Sequence, residues 1–402
     1  MTVGRNVLRE RLIAVLLVLG SVMATLALGE LALRATGFSA AAFWAPDEVT
    51  GGRLRSGAAG WNRNEGVAYV QINSQGLRDR EHSLDKPPGV YRIAVLGDSY
   101  AEAMQVGIDQ AFWSLLPGQL ESCGFAGGKR IETINFGVSG YGTAQELLTL
   151  RSRAWRYSPD LVLLAFFPGN DVRNNSKLLE PQRDRPFFVL RAGGLDLDNS
   201  FRKMPEFQEM LYRAQHFDAL RQLRLYELAR KLRMAADGAA LRQNAPIAAA
   251  IAEGKANAPS LNEPGIDEEV LRPPPDAAWR EAWEVTDRLI VQMGQEVHAR
   301  GAQFLLAVLS MPSAVYPDPA LRTHYAQARG IDDLLYPETH LLRLAQSQGI
   351  DAVGLGAPMQ RHADATGAFL HGFPNTKPGF GHWNQAGHAL AASLIARHLC
   401  PR

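Results

Sequence analysis

The hydrophobic pattern divides the chain into three regimes. From Leu12 to Gly29, 18 residues run without a charge and are mostly Leu, Val and Ala; Glu30 interrupts, and Leu31-Ala32-Leu33 follow. No face of this stretch is polar, so a buried core helix fits it badly. Counted through Leu33 it reaches the ~20 apolar residues that a bilayer core of ~30 Å requires. Further on, short apolar runs alternate with helical patterns. The runs are Tyr91–Leu96, Ile131–Phe136, Leu161–Phe167, Phe304–Leu309 and Ile350–Leu355. The helical patterns include Ala101–Glu121, Thr143–Arg156, Asp276–Arg300 closed by Gly301, Pro337–Gln348 closed by Gly349, and a last helix from Asn384, a good N-cap, to about Leu399. Strands apolar on both faces and separated by helices predict a parallel sheet covered on both sides.

Between Asn174 and Pro275 that alternation stops. Phe187–Leu190 and Leu195–Leu197, joined by Ala192-Gly193-Gly194, read as a hairpin. Residues 203–234 read as Arg-rich helix, and residues 235–275 are rich in Ala, Pro and Asn. Residues 174–275 are thus expected to form a mobile insertion. Residues 34–90 look irregular, with a short extended segment at Val67–Ile72, and read as a juxtamembrane approach.

Arg5, Arg9 and Arg11 precede the apolar segment against Glu10 alone, which keeps residues 1–11 cytoplasmic and makes 12–33 a single-pass anchor in the lipid bilayer. The alternative is a cleaved signal peptide with Ala27-Leu28-Gly29 as its small-residue site; both imply export. The chain has 402 residues, 46% hydrophobic and 21% charged, ample for a large core. Its 42 Lys+Arg against 41 Asp+Glu give a net charge of +1, so nothing favours a nucleic-acid partner. Two cysteines and no Cys-x-x-Cys exclude a disulfide scaffold and a zinc ribbon.

Ligands of parallel sheets bind beyond the carboxyl ends of the strands. Three strand ends carry Gly-rich polar loops: Gly97-Asp98-Ser99, Gly137-Val138-Ser139-Gly140 and Pro168-Gly169-Asn170-Asp171. Ser99 is a nucleophile candidate if a base takes its proton. The Gly140 N–H and the Asn170 amide are candidate donors to an oxyanion. Among ten histidines, His382 stands before the last helix, where a base can meet the strand ends. His371 and His362 are fallback bases. His388 lies six residues beyond His382, a poor spacing for a shared metal, and reads as helix packing. No metal or organic cofactor is implied.

Four blocks together resemble the SGNH/GDSL hydrolases. Gly97-Asp98-Ser99-Tyr100 is similar to their nucleophile block, and Asn135-Phe136-Gly137-Val138-Ser139-Gly140 to the block of the oxyanion glycine. Gly169-Asn170-Asp171 is similar to the block of the oxyanion asparagine, and His382-Trp383-Asn384 to that of the base. The anchor and Asn73–Asp79 add a similarity to exported bacterial members. The resemblance covers about residues 91–402 outside the insertion. It implies a three-layer α/β/α flavodoxin-like fold, an inner-membrane protein with a periplasmic catalytic domain, and a serine esterase acting on O-acyl esters, with envelope or extracellular glycans as substrate class. Transfer of the acyl group to polysaccharide, or a non-catalytic glycan-binding or assembly module on the same scaffold, are the alternatives. The oxyanion hole would comprise the Ser99 N–H, Gly140 and Asn170, with Asp98 and Asp171 as structural supports and Tyr100, Tyr141 and Trp383 in the substrate pocket.

One departure stands out. The family places an Asp two or three residues before its base, and here those positions are Phe380 and Gly379. The expectation is therefore a Ser99–His382 dyad with a main-chain carbonyl on the distal ring nitrogen, or else a distant acid such as Asp351 or Asp364. In a doubly wound order the helices carrying Cys123 and Cys400 are neighbours, so a disulfide joining them is expected in an oxidising compartment; two unpaired small hydrophobes are the alternative.

Overall fold

A computed structural model of the chain describes residues 2–243, 261, 263 and 265–400. Contacts divide it into two compact units, residues 1–42 with 212–256, and residues 43–211 with 257–402.

The larger unit opens with two antiparallel hairpins, β1 (Trp44–Asp47) with β2 (Gly51–Leu54) and β3 (Ala59–Asn62) with β4 (Ala68–Gln71). Five parallel strands follow along the chain: β5 (Val90–Gly97), β6 (Arg130–Asn135), β7 (Leu161–Phe166), β10 (Gln303–Val308) and β11 (Asp351–Gly354). The hairpin β8 (Phe187–Arg191) with β9 (Gly194–Asp198) lies between β7 and β10 in sequence. The parallel strands are ordered β11-β10-β7-β5-β6 in space. Relabelled by rank from the other edge this is 2-1-3-4-5, the doubly wound order of the flavodoxin type, whose switch point falls between β5 and β7. All six residues of β7, Leu161 to Phe166, are buried, as a strand covered on both faces must be.

Helices Phe112–Ser122 and Gln385–Leu399 pack together on one face. Helices Thr143–Ser152, Ala277–Ala299 and Tyr336–Gln348 cover the other, completing three layers. The expected N-cap at Asn384 forms, accepting the Gly387 N–H, and Asp276 caps its helix by accepting the Trp279 N–H. Cys123 and Cys400, ending the two helices of the first face, are joined in a disulfide with their Cα atoms 5.8 Å apart.

The structure differs from the sequence reading in two places. The helical pattern at Ala101–Glu121 is two helices, Ser99–Glu102 and Phe112–Ser122. The first is stopped by Ala103, which is in the left-handed region at φ 53°. Residues 43–90, within the segment read as a juxtamembrane approach, belong to the larger unit, as do 174–211 of the segment read as an insertion. Apolar alternation is weak in four-residue strands, and of β1 to β4 only β4 falls in a segment read as extended, Val67–Ile72. The expected Ala/Pro/Asn-rich stretch 235–275 falls partly outside the described residues.

In the smaller unit Thr2–Ala35 is one helix, and its Arg9–Ala35 portion is long and apolar enough to cross a membrane. Helix Arg224–Gln243 packs against it.

Candidate active site

Ser99 begins the short helix that follows β5. The sharp exit from the strand depends on Gly97, where a Cβ would sit 2.9 Å from Ala101 Cβ and 3.0 Å from the Ala165 carbonyl oxygen. Asp98 caps the helix by accepting the Tyr100 N–H at 2.9 Å, which turns Ser99 over the sheet edge. The structure brings Ser99 and His382 together across 283 residues, with Oγ 2.8 Å from Nε2. Asp98 Oδ2 lies farther from the same hydroxyl, at 3.4 Å, so the imidazole is its closer partner.

The expected dyad requires correction. The distal nitrogen of His382 meets neither a main-chain carbonyl nor either of the two expected acids. Asp351 pairs with His398, and Asp364 with Arg322. The partner is Glu65, from the turn between β3 and β4. Its Oε2 lies 2.5 Å from Nδ1 of His382, and its Oε1 accepts the His382 backbone N–H at 2.6 Å. A carboxylate on Nδ1 keeps the proton there and leaves Nε2 free to accept from Ser99.

Glu65 reaches this point because the loop before His382 is shaped to admit it. Gly381 adopts φ 79°, and a Cβ there would collide with Glu65 Oε1. Asn375 ties the two loops together: its Oδ1 accepts the Gly66 N–H, and its Nδ2 donates to the carbonyls of Arg63 and Gly66. Asn62 donates to the Glu65 carbonyl at 3.1 Å from within the hairpin. None of this is visible as a local motif, because Glu65 and His382 are 317 residues apart. The one sequence trace is glycine at 381, a position a side chain would close.

The electrostatics match the geometry. Burial pushes His382 down, but the Glu65 hydrogen bond and charge, with Asp98 and Glu263 nearby, hold it above the usual histidine value. Burial likewise pushes Glu65 up, and its bonds to His382 outweigh this and hold it below the usual carboxylate value. The side chains of His382 and Glu65 are 27% and 20% exposed, so the pair sits at a rim that solvent and ligand can reach.

The other expected site residues separate into two groups. Gly140 stands at the end of the β6 loop with φ 76°, and its carbonyl accepts from Arg185 at 2.6 Å. The same loop is held by Ser139, whose hydroxyl donates to the buried Glu102 carboxylate. Asn170 donates from Nδ2 to Asp98 Oδ2 at 3.2 Å. Asp98 is buried and raised by that burial. Asp171 accepts the Phe167 N–H at 2.9 Å, which holds the turn carrying Asn170.

Tyr100, Tyr141 and Trp383, expected in a substrate pocket, are instead buried supports. Tyr100 packs beneath His382, with their ring centroids 5.0 Å apart, and donates to the Gly381 carbonyl. Tyr141 donates to Gly52, fixing the β1–β2 hairpin. Trp383 donates to Ser310, whose hydroxyl lies 3.1 Å from His371 Nε2. Aromatic size and neighbourhood cannot tell a pocket wall from the core beneath it.

His371 is not a base. It is buried, lies 2.7 Å from the Gly381 carbonyl through Nδ1, and is pushed by burial down to about 4. His388 is also buried, accepts the Phe112 N–H and stacks on the Phe112 ring, as a packing residue does. His362 lies in helix Gly356–Thr366.

No protein-family model matches the chain, and no curated protein matches it. Solved structures similar to it include an alpha/beta hydrolase from the metagenome of Lake Arreo, Spain, at 13% identity and a TM-score of 0.37, covering 77% of this chain and 94% of that one. An acetyl xylan esterase is similar at 11% identity and a TM-score of 0.35, covering 76% and 97%. An acetylxylan esterase from Geobacillus stearothermophilus is similar at 12% identity and a TM-score of 0.37, covering 78% and 95%.

Proposed function

We propose that the chain is a membrane-anchored serine esterase of the SGNH type, and that its reacting groups are Ser99, His382 and Glu65. One observation carries this reading: the continuous chain of short contacts from Ser99 Oγ to His382 Nε2 and from His382 Nδ1 to Glu65. An unpaired rim serine is common; a serine, an imidazole and a carboxylate in that order, on three separate segments, is the arrangement that nucleophilic acyl chemistry requires.

In this reading Ser99 Oγ attacks the ester carbonyl while its proton passes to His382 Nε2. Glu65 stabilises the imidazolium that forms. The Ser99 and Gly140 N–H groups and the Asn170 amide receive the charge on the carbonyl oxygen. His382 returns the proton to the departing alkoxide, leaving an acyl-enzyme. Water, losing its proton to His382, then releases the acid and restores Ser99. The substrate class is an O-acyl, most simply acetyl, ester of an envelope or extracellular glycan.

The second reading, transfer of the acyl group to a polysaccharide hydroxyl, uses the same site with an alcohol in place of water. The test is acetate release from p-nitrophenyl acetate and from a panel of acetylated glycans, with and without unacetylated glycan acceptors. Release that needs Ser99 supports the esterase. Acetyl appearing on the acceptor at the expense of free acetate assigns transfer. No turnover of any ester or acceptor by folded protein refutes both and leaves the non-catalytic module.

A further inference from the structure

Glu30 is an anomaly on sequence grounds, a carboxylate within an apolar helix. Its partners explain it. Its two carboxylate oxygens accept the backbone N–H groups of Arg224 and Leu225, each at 3.0 Å, and Oε1 also accepts from Arg34 at 2.7 Å. The acid in the first helix thereby caps the N-terminus of the second, whose first N–H groups have no partner within the helix. Leu225 packs against the first helix at Gly29, where a Cβ would lie in ordinary van der Waals contact, 3.5 Å from its Cδ2.

The remaining contacts fix the direction of helix Arg224–Gln243. Its start lies level with Glu30, and Arg34 donates to Gln222 just before it. Glu227 accepts from the Ala40 N–H, Arg230 donates to the Ala40 carbonyl, and Lys231 sits over the Phe38 ring. The helix therefore climbs alongside the chain that leaves the anchor, and residues 217–223 form its foot at the level of Glu30. At a rise of ~1.5 Å per residue, Leu12–Gly29 spans about 27 Å, close to the ~30 Å hydrocarbon thickness. Glu30 and the foot then fall at the hydrocarbon edge. That foot exposes apolar side chains: Phe217 at 45%, Leu220 at 45% and Leu223 at 38%.

We infer that residues 217–223 form a membrane-interface foot, with Phe217, Leu220 and Leu223 immersed at the boundary of headgroups and acyl chains in the leaflet where the anchor ends. The occupant is lipid because the patch continues the surface of the anchor at the depth where the anchor leaves hydrocarbon. Burial of apolar side chains in that layer stabilises the foot against the membrane, and the Glu30 cap holds it to the anchor. The inference rests on reading Thr2–Ala35 as a retained membrane anchor.

The test uses the full chain in phosphatidylcholine nanodiscs, spin-labelled at F217C, L220C or L223C; both native cysteines are engaged in the disulfide. L19C, at the middle of the anchor, and K129C, on an exposed loop of the larger unit, serve as lipid and water references. Relative accessibility to oxygen and to a water-soluble nickel chelate reads depth. The expected oxygen-to-nickel ratio at the three foot positions is several-fold above K129C and below L19C. Ratios equal to K129C, with L19C deep, overturn the foot and leave the anchor standing. Labels shielded from both reagents show a protein surface covering the patch and also overturn it. L19C in water refutes the anchor, and the foot with it. Oxygen-rich labels at the foot that turn water-like on adding E30A assign the Glu30 cap as the element that sets the depth.

Discussion

Two histidines eleven positions apart on one loop meet opposite fates. His382 and His371 both approach Tyr100, and both lie beside the Gly381 peptide. His382 has a carboxylate on one nitrogen and a serine hydroxyl on the other, is partly exposed, and is raised above the usual histidine value. His371 has a carbonyl on one nitrogen and the Ser310 hydroxyl on the other, is buried, and is lowered to about 4. Residue type and neighbourhood are the same; what differs is the charge of the partner and access to water. An anionic partner turns an imidazole into a base that can take up a proton, whereas a neutral buried setting makes it a fixed hydrogen-bonding strut.

The comparison is broken most severely by removing the proposed reacting pair. Ser99→Ala and His382→Ala are each expected to lower kcat for p-nitrophenyl acetate by about 10³-fold or more, with far-ultraviolet circular dichroism unchanged. Loss of the acid comes next. Glu65→Gln keeps the shape and removes the charge, so kcat should fall by about 10²–10⁴-fold, as for the orienting acid of related triads. The pH profile sharpens this prediction. His382 must be neutral to act as base, so activity should rise with pH through a midpoint above about 6.5; in Glu65→Gln that midpoint should move down, because the raising charge is gone.

Asn375→Ala, which loosens the tie between the Glu65 and His382 loops, should cost about 3–10-fold in kcat through misplacement alone, with the pH midpoint unmoved. The smallest effect belongs to His371. Its folded value lies below its unfolded value, so the stability it contributes is present above about 6.5 and is lost as pH falls toward about 4. Urea unfolding between those limits should show a weaker dependence on pH in His371→Gln than in the parent chain, while activity at neutral pH changes little.

Much of this was legible in the sequence. The five parallel strands, the cap at Asn384 and the pairing of Cys123 with Cys400 follow from periodicity, a capping residue and winding order. Ser99 and His382 are found because strand ends and the loop before the last helix share one rim. Glu65 is not found, because its role depends on a hairpin with no strong alternation and on an empty Cβ position at Gly381. Tyr100, Tyr141 and Trp383 mislead for a related reason. Each flanks a reactive block in sequence, yet none lies in a strand: Tyr100 is in the short helix Ser99–Glu102, and Tyr141 and Trp383 stand just before helices Thr143–Ser152 and Gln385–Leu399, where their side chains turn into the core. Glu30 is visible as an interruption of the apolar N-terminal stretch, but its partners lie 194 and 195 residues away, out of reach of any local pattern.

The measurement that bears most directly on the central claim is intact-mass and peptide-map mass spectrometry after a fluorophosphonate probe. One adduct per chain is expected, on the peptide carrying Ser99. It should be absent in Ser99→Ala and His382→Ala and should form far more slowly in Glu65→Gln. Folded chain that takes up no probe at Ser99, or that is labelled at an equal rate without His382, contradicts the assignment of these residues as nucleophile and base.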